Sequence, residues 1–365
     1  MSRLRTSLLA LAISLSAVVS ICATGDVAVA EGSFKLATFN AGLVRGGVAL
    51  VDERLPHIAP ALQAADADVL CLQEVWGDDD YEELRAALAK THPHAFRQRT
   101  EKGSGLWFSC NPFKLLSLDR CVDSQCTPNG VSAEECVQKA CKEPYDALSD
   151  GCIICLAANT ESPTRCIFRA NEYVQGGRNG LALFSKHPIT DARFQVFNSA
   201  LVNRGLIRAT VAGRAIACTH LSSDLTTVPY PPGHPWSSWR EEQTAQIETV
   251  INTLPTTGCR IVLGDLNASQ DAGRIRPELD GTLAAFSERG FREPWPSPEC
   301  TWCPPPANPL ASGREEKQYD HILANGCGTP QYRRILDQPL EVTYGGRAQT
   351  TRLSDHFGLM AEMPR

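Results

Sequence analysis

The chain lacks several of the signatures that would place its chemistry at once. There is no glycine-rich loop closing on Lys-Ser or Lys-Thr and no Gly-x-Ser-x-Gly elbow. Nucleotide hydrolysis on a P-loop and α/β-hydrolase chemistry are therefore both without support. No apolar stretch after residue 30 approaches the roughly 20 residues that span a bilayer, and no internal repeat is visible. Positive charge is also short: 35 Lys and Arg against 41 Asp and Glu leave a net charge of −6. That argues against a broad basic surface for nucleic acid, because phosphate contacts need clustered Lys and Arg. A metal-dependent nuclease stays open, since a bound cation can carry the local charge.

What is present is a globular composition, 43% hydrophobic and 21% charged over 365 residues, enough to bury a full core. Length alone allows two domains of about 150 residues, but a large α/β sandwich can run as one unit. One domain over 31–365 is expected. Ahead of it, Arg3 and Arg5 precede the apolar run Leu8 to Val19, and Ala28-Val29-Ala30 closes the segment. Residues 1–30 therefore read as a secretory signal peptide. Cys22 follows Ile21, a bulky residue where a lipid-anchor site wants a small one, so a soluble exported protein is expected, extracellular or periplasmic.

Cysteine usage agrees with export. Of 15 cysteines, Cys22 falls in the leader and Cys110, Cys121, Cys126, Cys136, Cys141, Cys152, Cys155 and Cys166 crowd one segment. Such density predicts disulfides in an oxidising compartment. The rival is zinc, because Cys152-x-x-Cys155 and Cys300-x-x-Cys303 have ligand spacing; the irregular spacing of the remaining cysteines favours bridges, whose pairing is open.

Hydrophobic periodicity gives an α/β rhythm. FKLATF (34–39) and VLCL (69–72) read as strands, Leu55, Ile58, Ala59 and Leu62 as one helix face, and Tyr81, Leu84 and Leu88 as another. GLWF (105–108) reads as a strand, after which the pattern breaks into a Cys-rich, disulfide-stapled insertion over 110–170. Strands resume at LALF (181–184), Phe194 to Phe197, Leu206 to Val211 and Ala215 to Cys218. A helix from Trp239 carries Ile247, Val250, Ile251 and Leu254 on one face. IVL (261–263), HIL (321–323) and FGLM (357–360) complete the strands. Several consecutive strands imply mixed rather than parallel sheets.

Polar residues gather where these apolar strands stop: Asn40, Gln73-Glu74, Thr219-His220, Asp265 and Asn267, Asp320 and Asp355-His356. Strand ends of a packed sheet share a rim, so such side chains can converge on one cleft. An acid pressed against an apolar run costs several kcal/mol if buried unpaired, so it needs a metal, a histidine or a hydrogen-bond network. Hard oxygen ligands suit Mg²⁺, which binds through one or two carboxylates plus substrate phosphate. With phosphate charge neutralised, one histidine can activate water and the other assist the leaving oxygen. Hydrolysis of a phosphate ester uses all these parts.

The stretches TFN (38–40), LQEVW (72–76), NGLALFSKHPI (179–189), THL (219–221), Arg240-x-x-Gln243, GDLN (264–267), YDHIL (319–323) and LSDHF (353–357) resemble the metal-dependent endonuclease/exonuclease/phosphatase superfamily in order and spread. LQEVW, FSKHPI and LSDH are closest to its neutral sphingomyelinase branch. The deoxyribonuclease-I-like members share the site. The resemblance implies a four-layer α/β sandwich with two packed mixed β-sheets. It implies a metal, Mg²⁺ or else Mn²⁺ or another divalent cation, on Glu74 with Asn40 and Asp355. Asp265 and Asn267 would orient the attacking water and a phosphate oxygen. His356, oriented by Asp320, would be the general base, and His220 would stabilise the pentacoordinate phosphorus or assist the leaving group. His187 and His321 are expected to be structural or exposed, and Arg178 with Asn179 either faces the phosphate or forms a turn.

The expected activity is that of a secreted Mg²⁺-dependent phosphodiesterase of sphingomyelinase or phospholipase C type, a monomer acting on phospholipid or another phosphodiester at a membrane surface. The alternative is an extracellular endonuclease acting on nucleic acid. A non-catalytic binding module would be expected to have lost Glu74, His220, Asp265 or His356, and all are present. The loop Val228 to Trp239, with Tyr230, Trp236 and Trp239, either offers an aromatic surface to a membrane or a quaternary ammonium or packs onto the domain. Two features depart from the family. The insertion has no counterpart, so a substrate-contacting tyrosine or acidic partner expected there cannot be assigned, and the anchors of membrane-bound animal relatives are missing.

Overall fold

The alternation of the first strand sets the layers. In β1 (Ser33–Asn40), Phe34 and Leu36 point to one side of the sheet and Ala37 and Phe39 to the other, and all four are buried. A sheet buried on both faces needs a second layer on each side. The computed structural model describes residues 32–45, 47–98, 110–126, 137, 139–158, 164, 166–169, 179–225, 230 and 233–364, and the fold lies in the unit from Ser33 onward. The expected signal peptide, GLWF, Cys136, Arg178 and Val228 lie outside the described residues.

After β1 come α1 (Val51–Ala65), β2 (Val69–Gln73), α2 (Asp78–Leu88), β3 (His94–Phe96), α3 (Pro112–Cys121), a π-helical turn (Val122–Cys126), α4 (Lys142–Asp146), α5 (Asp150–Ala158) and α6 (Cys166–Arg169). The second half contains β4 (Ala182–Ser185), β5 (Ile189–Val196), β6 (Gly205–Val211), β7 (Arg214–His220), α7 (Trp239–Thr253), β8 (Arg260–Asp265), α8 (Ala284–Glu288), β9 (Asp320–Asn325), β10 (Gln331–Ile335), β11 (Leu340–Tyr344), β12 (Arg347–Thr351) and β13 (Gly358–Pro364).

One sheet has the order β10-β13-β1-β2-β4-β3 and the other β5-β6-β7-β8-β9, with β11 and β12 forming a separate hairpin. Each large sheet contains one parallel pair, β1 with β2 and β7 with β8; the other pairings are antiparallel. Their inner faces meet in a core that includes Phe34, Leu36, Val69 and Leu183 from one side and Ile207, Ile216, Ile261 and Ile322 from the other. Outside the first sheet, Leu55, Ile58 and Leu62 of α1 and Leu84 and Leu88 of α2 cover Ala37, Phe39, Leu70 and Phe184. Outside the second, Ile247, Val250 and Ile251 of α7 cover Leu206, Ala217 and Val262. This is the four-layer sandwich with mixed sheets. Each fully buried Leu, Ile or Phe contributes about 1.5–3 kcal/mol by leaving water, enough to hold α1 together despite Pro56 and Pro60 within it.

Cys71 of β2 and Cys218 of β7 form a disulfide across the inter-sheet core, with a Cα–Cα distance of 5.6 Å. Where it is described, the insertion is mostly helical. Asn111 caps α3 by accepting from the Phe113 and Lys114 N–H groups, and the helices close on a small core of their own that includes Leu118 and Leu148. Bridges Cys110–Cys152, Cys121–Cys141 and Cys155–Cys166 staple it. Cys152 and Cys155 thus go to different partners, and Cys300 pairs with Cys303, which sets aside the zinc reading of both Cys-x-x-Cys pairs. Among the described residues no helix is long and apolar enough to cross a membrane.

Candidate active site

Each sheet delivers the carboxyl ends of its parallel pair to the same rim. β1 runs out at Asn40 beside Gln73, and the next residue, Glu74, turns the chain. β7 and β8 run out in register at His220 and Asp265. Asp320 opens β9 directly opposite Asp265, and Asp355 and His356 stand just ahead of β13, which pairs antiparallel with β1. Two of the side chains sit on left-handed backbone, Glu74 at φ 57° and Asn267 at φ 48°, a conformation that costs about 1–3 kcal/mol each and clusters at functional sites. Gly264 is required for a different reason: at φ 154° a Cβ there would run into the Thr219 carbonyl of the neighbouring strand.

Asp265 is the hub. Its Oδ2 accepts from Asn40 Nδ2 at 2.9 Å, lies 3.3 Å from His220 Nε2 and 3.8 Å from His356 Nε2, while Oδ1 accepts from the Asn267 N–H at 2.9 Å. His356 Nδ1 is 2.8 Å from Asp320 Oδ2, the carboxylate–imidazole arrangement that orients a general base. Asn267 Nδ2 donates to the Leu221 carbonyl at 2.9 Å and lies 3.0 Å from His220 Nε2. The structure therefore brings Asn40, His220, Asp265, Asn267, Asp320 and His356 into one buried, connected set, with Glu74 and Asp355 beside it.

The charges divide the site into two sides. Burial opposes ionisation of Asp265, but His220, His356 and the Asn40 amide outweigh it and hold the carboxyl well below the ordinary range. Burial and then the charge of Asp355 push Glu74 up to about 7, against the pull of Arg204 and His356. Burial and the positive charge of Arg204 push His220 down to about 4. Burial acts the same way on His356, yet Asp320, Asp265 and Asp355 carry it up to about 10. A half-buried acid that resists ionisation beside a second acid calls for a cation. Among the described residues no three His, Cys, Asp or Glu side chains form a cage for one. An open site of one or two carboxylates is what Mg²⁺ uses, since it keeps several waters.

The profile of the endonuclease/exonuclease/phosphatase family matches residues 37–356. The chain belongs to that family. No curated protein sequence matches it, but solved structures do. The chain is similar to the crystal structure of SmcL, with 15% identity and TM-score 0.56 over 91% of this chain and 99% of that one. It is also similar to sphingomyelinase C from Streptomyces griseocarneus, with 17% identity and TM-score 0.53 over 91% and 99%. A third similar structure is a double mutant of beta toxin from Staphylococcus aureus with bound magnesium ions, with 14% identity and TM-score 0.54 over 90% and 99%.

Around this set the structure adds supporting residues, most of which the motifs did not single out. Arg54 of α1 is fully buried and donates to the carbonyls of Ala41, Gly42 and Leu353, so one guanidinium ties the loop after Asn40 to the loop before Asp355. Gly42 lets them approach, because a Cβ there would lie 2.5 Å from Asp355 Oδ1. On the other sheet, Gln243 Nε2 donates to the carbonyls of Ser222, Leu266 and Asn267, which gives the Arg240-x-x-Gln243 stretch its purpose. Arg204, just before β6, places Nη1 2.9 Å from His220 Nδ1. No sequence signal marked Arg54 or Arg204, because an arginine is ordinarily a surface residue.

Other expectations resolve by packing. Asn179 donates to the Gln98 carbonyl and accepts from the Leu181 N–H, the role of a turn residue. His321 is buried with Nδ1 2.7 Å from Glu293 Oε2 and Nε2 2.9 Å from the Ala268 carbonyl, and His187 lies against Phe34 with ring centroids 5.9 Å apart; both are structural. Tyr230 and Trp239 stack edge-on at 4.8 Å, and the Tyr230 hydroxyl donates to Glu242. Those two aromatics are thus held against each other and against α7.

Proposed function

We propose that this chain is a secreted, Mg²⁺-dependent phosphodiesterase of sphingomyelinase or phospholipase C type. The observation that carries the reading is the meeting of the Asp320–His356 pair with Asp265 and with the acid pair Glu74 and Asp355 at one rim. The substrate class is supported by the wording of LQEVW, FSKHPI and LSDH and by the fold similarity to sphingomyelinases.

His356 accepts the proton of the attacking water at Nε2, while Asp320 holds the ring by Nδ1 and stabilises the imidazolium that forms. Asp265 and Asn267 line the approach and fix the water and a phosphoryl oxygen. His220 turns Nε2 to the same corner, placed to hydrogen-bond a non-bridging or leaving oxygen. A divalent cation held by Glu74 with Asn40 and Asp355 would neutralise phosphate charge and offset the carboxylates that keep His356 protonated. The disulfides and the leader-like pattern of residues 1–30 support export.

The deciding experiment exposes the oxidised protein to sphingomyelin vesicles and to DNA in parallel, with Mg²⁺ or with chelator, beside His356→Ala. Metal-dependent release of phosphocholine that His356→Ala abolishes is expected. DNA cleavage with intact lipid would move the chain to the nuclease reading.

A further inference from the structure

Arg204 is the strongest unexplained feature near the site. Its side chain is buried, with the residue only 7% exposed, and burying a guanidinium is costly unless it is paired and fully hydrogen-bonded. Among the described residues its side chain makes one hydrogen bond, from Nη1 to His220 Nδ1 at 2.9 Å, and Nε is left without a partner. Its main chain is fixed from both sides: the N–H donates to Ser199 Oγ and the carbonyl accepts from the Phe197 N–H at 2.8 Å. A cation placed so expensively, with an incomplete set of acceptors, serves something other than stability.

The proton inventory says what. A guanidinium only donates, so Nδ1 of His220 must be the accepting nitrogen, and in a neutral imidazole the other nitrogen then carries the proton. Asn267 Nδ2 also stands 3.0 Å from Nε2. That amide has two N–H groups, one of them spent on the Leu221 carbonyl, but Nε2 also faces the Asp265 carboxylate, which only accepts, whereas Nδ1 faces a guanidinium, which only donates. The ring's lone pair therefore goes to Arg204, and Nε2–H turns to Asp265 Oδ2, 3.3 Å away. His356 has the opposite partner, a carboxylate on Nδ1.

We propose that Arg204 is a positioning residue that fixes His220 as the neutral Nε2–H tautomer, so that a hydrogen-bond donor rather than a base faces the phosphoester. The two histidines are thereby assigned different tasks by the partners on their Nδ1 atoms, an arginine for the donor and an aspartate for the base. The kinetic part of this rests on the phosphodiesterase reading. The ring chemistry does not.

The test uses full-length oxidised protein with nitrogen-15 histidine, His220 being assigned by loss of its signals in His220→Gln. In the wild type at neutral pH, Nδ1 of His220 is expected to show the shift of an unprotonated acceptor and Nε2 that of a protonated nitrogen; Nδ1 found protonated overturns the proposal without any Arg204 variant. In Arg204→Met the two nitrogens should move toward an averaged or protonated signature. On sphingomyelin, kcat should fall roughly a hundred-fold, the effect of misplacing one group in a preorganised site, with KM within a few-fold. Unchanged His220 signals in folded Arg204→Met protein would overturn it. If that variant does not fold, Arg204→Lys, which keeps the charge but not the fork, carries the same comparison. Failure to cleave sphingomyelin would defeat the substrate reading and leave the ring measurement standing.

Discussion

Asp265 and Asp320 face one another as direct cross-strand partners at the ends of β8 and β9, both with their carboxylates buried. Like charges placed so are destabilising; His356, bonded to Asp320 and within reach of Asp265, favours ionisation of both, and what separates their fates is His220 and the Asn40 amide acting on Asp265. Asp320 remains pushed upward by burial, with His356 opposing. Asp320→Asn should therefore keep the fold and still lower kcat by roughly 10³–10⁴-fold, because the imidazolium loses its stabilising carboxylate. Circular dichroism and steady-state kinetics on the same sample check both halves; a loss under about ten-fold would refute the base assignment.

Glu74 gives a pH-dependent metal response. With its carboxyl up at about 7 through burial and Asp355, a proton competes with the cation below neutrality. The Mg²⁺ concentration for half-activation should rise as pH falls from about 8 to about 6. Isothermal titration should register proton release on binding. Glu74→Gln should weaken Mg²⁺ binding at least about a hundred-fold and flatten that dependence; a variant that binds Mg²⁺ normally would place the cation elsewhere.

Glu293 and His321 contribute a stability term outside the cleft. Both ring nitrogens of His321 face oxygen acceptors. Burial opposes the charge, but Glu293 dominates and carries His321 up to about 9. A raised folded value means the contribution is complete below the unfolded value near 6.5 and is lost as pH climbs through about 9. Urea unfolding at about pH 6 and about pH 9.5 should show wild type losing roughly 2–3 kcal/mol more than Glu293→Gln. Equal slopes would refute the pairing.

The Cys71–Cys218 bridge closes a loop with a sequence separation of 147 residues. The chain-entropy relation gives about 5 kcal/mol for such a loop, and measured effects usually fall to about 2–5 kcal/mol. Cys71→Ala/Cys218→Ala should lower the unfolding free energy by about that amount. Because each cysteine lies three residues or fewer from a site residue, Glu74 or His220, activity should fall beyond the loss of folded protein. Denaturant melts and specific activity per folded molecule measure the two separately.

Most of the layer structure was legible because buried strands advertise themselves: VLCL and IVL are unbroken apolar runs on interior strands of the two sheets. β10 and β12 were not, since QYRRI and RAQTT are mostly polar and partly or fully exposed. The insertion hid its helices because disulfides and short caps replace the long apolar stripe that periodicity detects. The strand-end acids and histidines were legible through their neighbours, Leu or Val runs that make a charge conspicuous. Arg54 and Arg204 were invisible for the converse reason: their acceptors are carbonyls and a ring nitrogen supplied from far along the chain, and sequence spacing records neither.

The insertion enters and leaves through stems that touch, Asn179 Nδ2 donating to the Gln98 carbonyl, between strands that are already neighbours, with Phe96 opposite Leu183. Topologically, everything between those stems is a cassette hung on one hairpin. It can lengthen, shrink or be exchanged in the course of evolution while β3 and β4 keep their pairing. The part of this protein freest to acquire a new recognition habit therefore hangs from the same rim that carries the chemistry, where the Val75 N–H beside Glu74 donates to the Gly180 carbonyl.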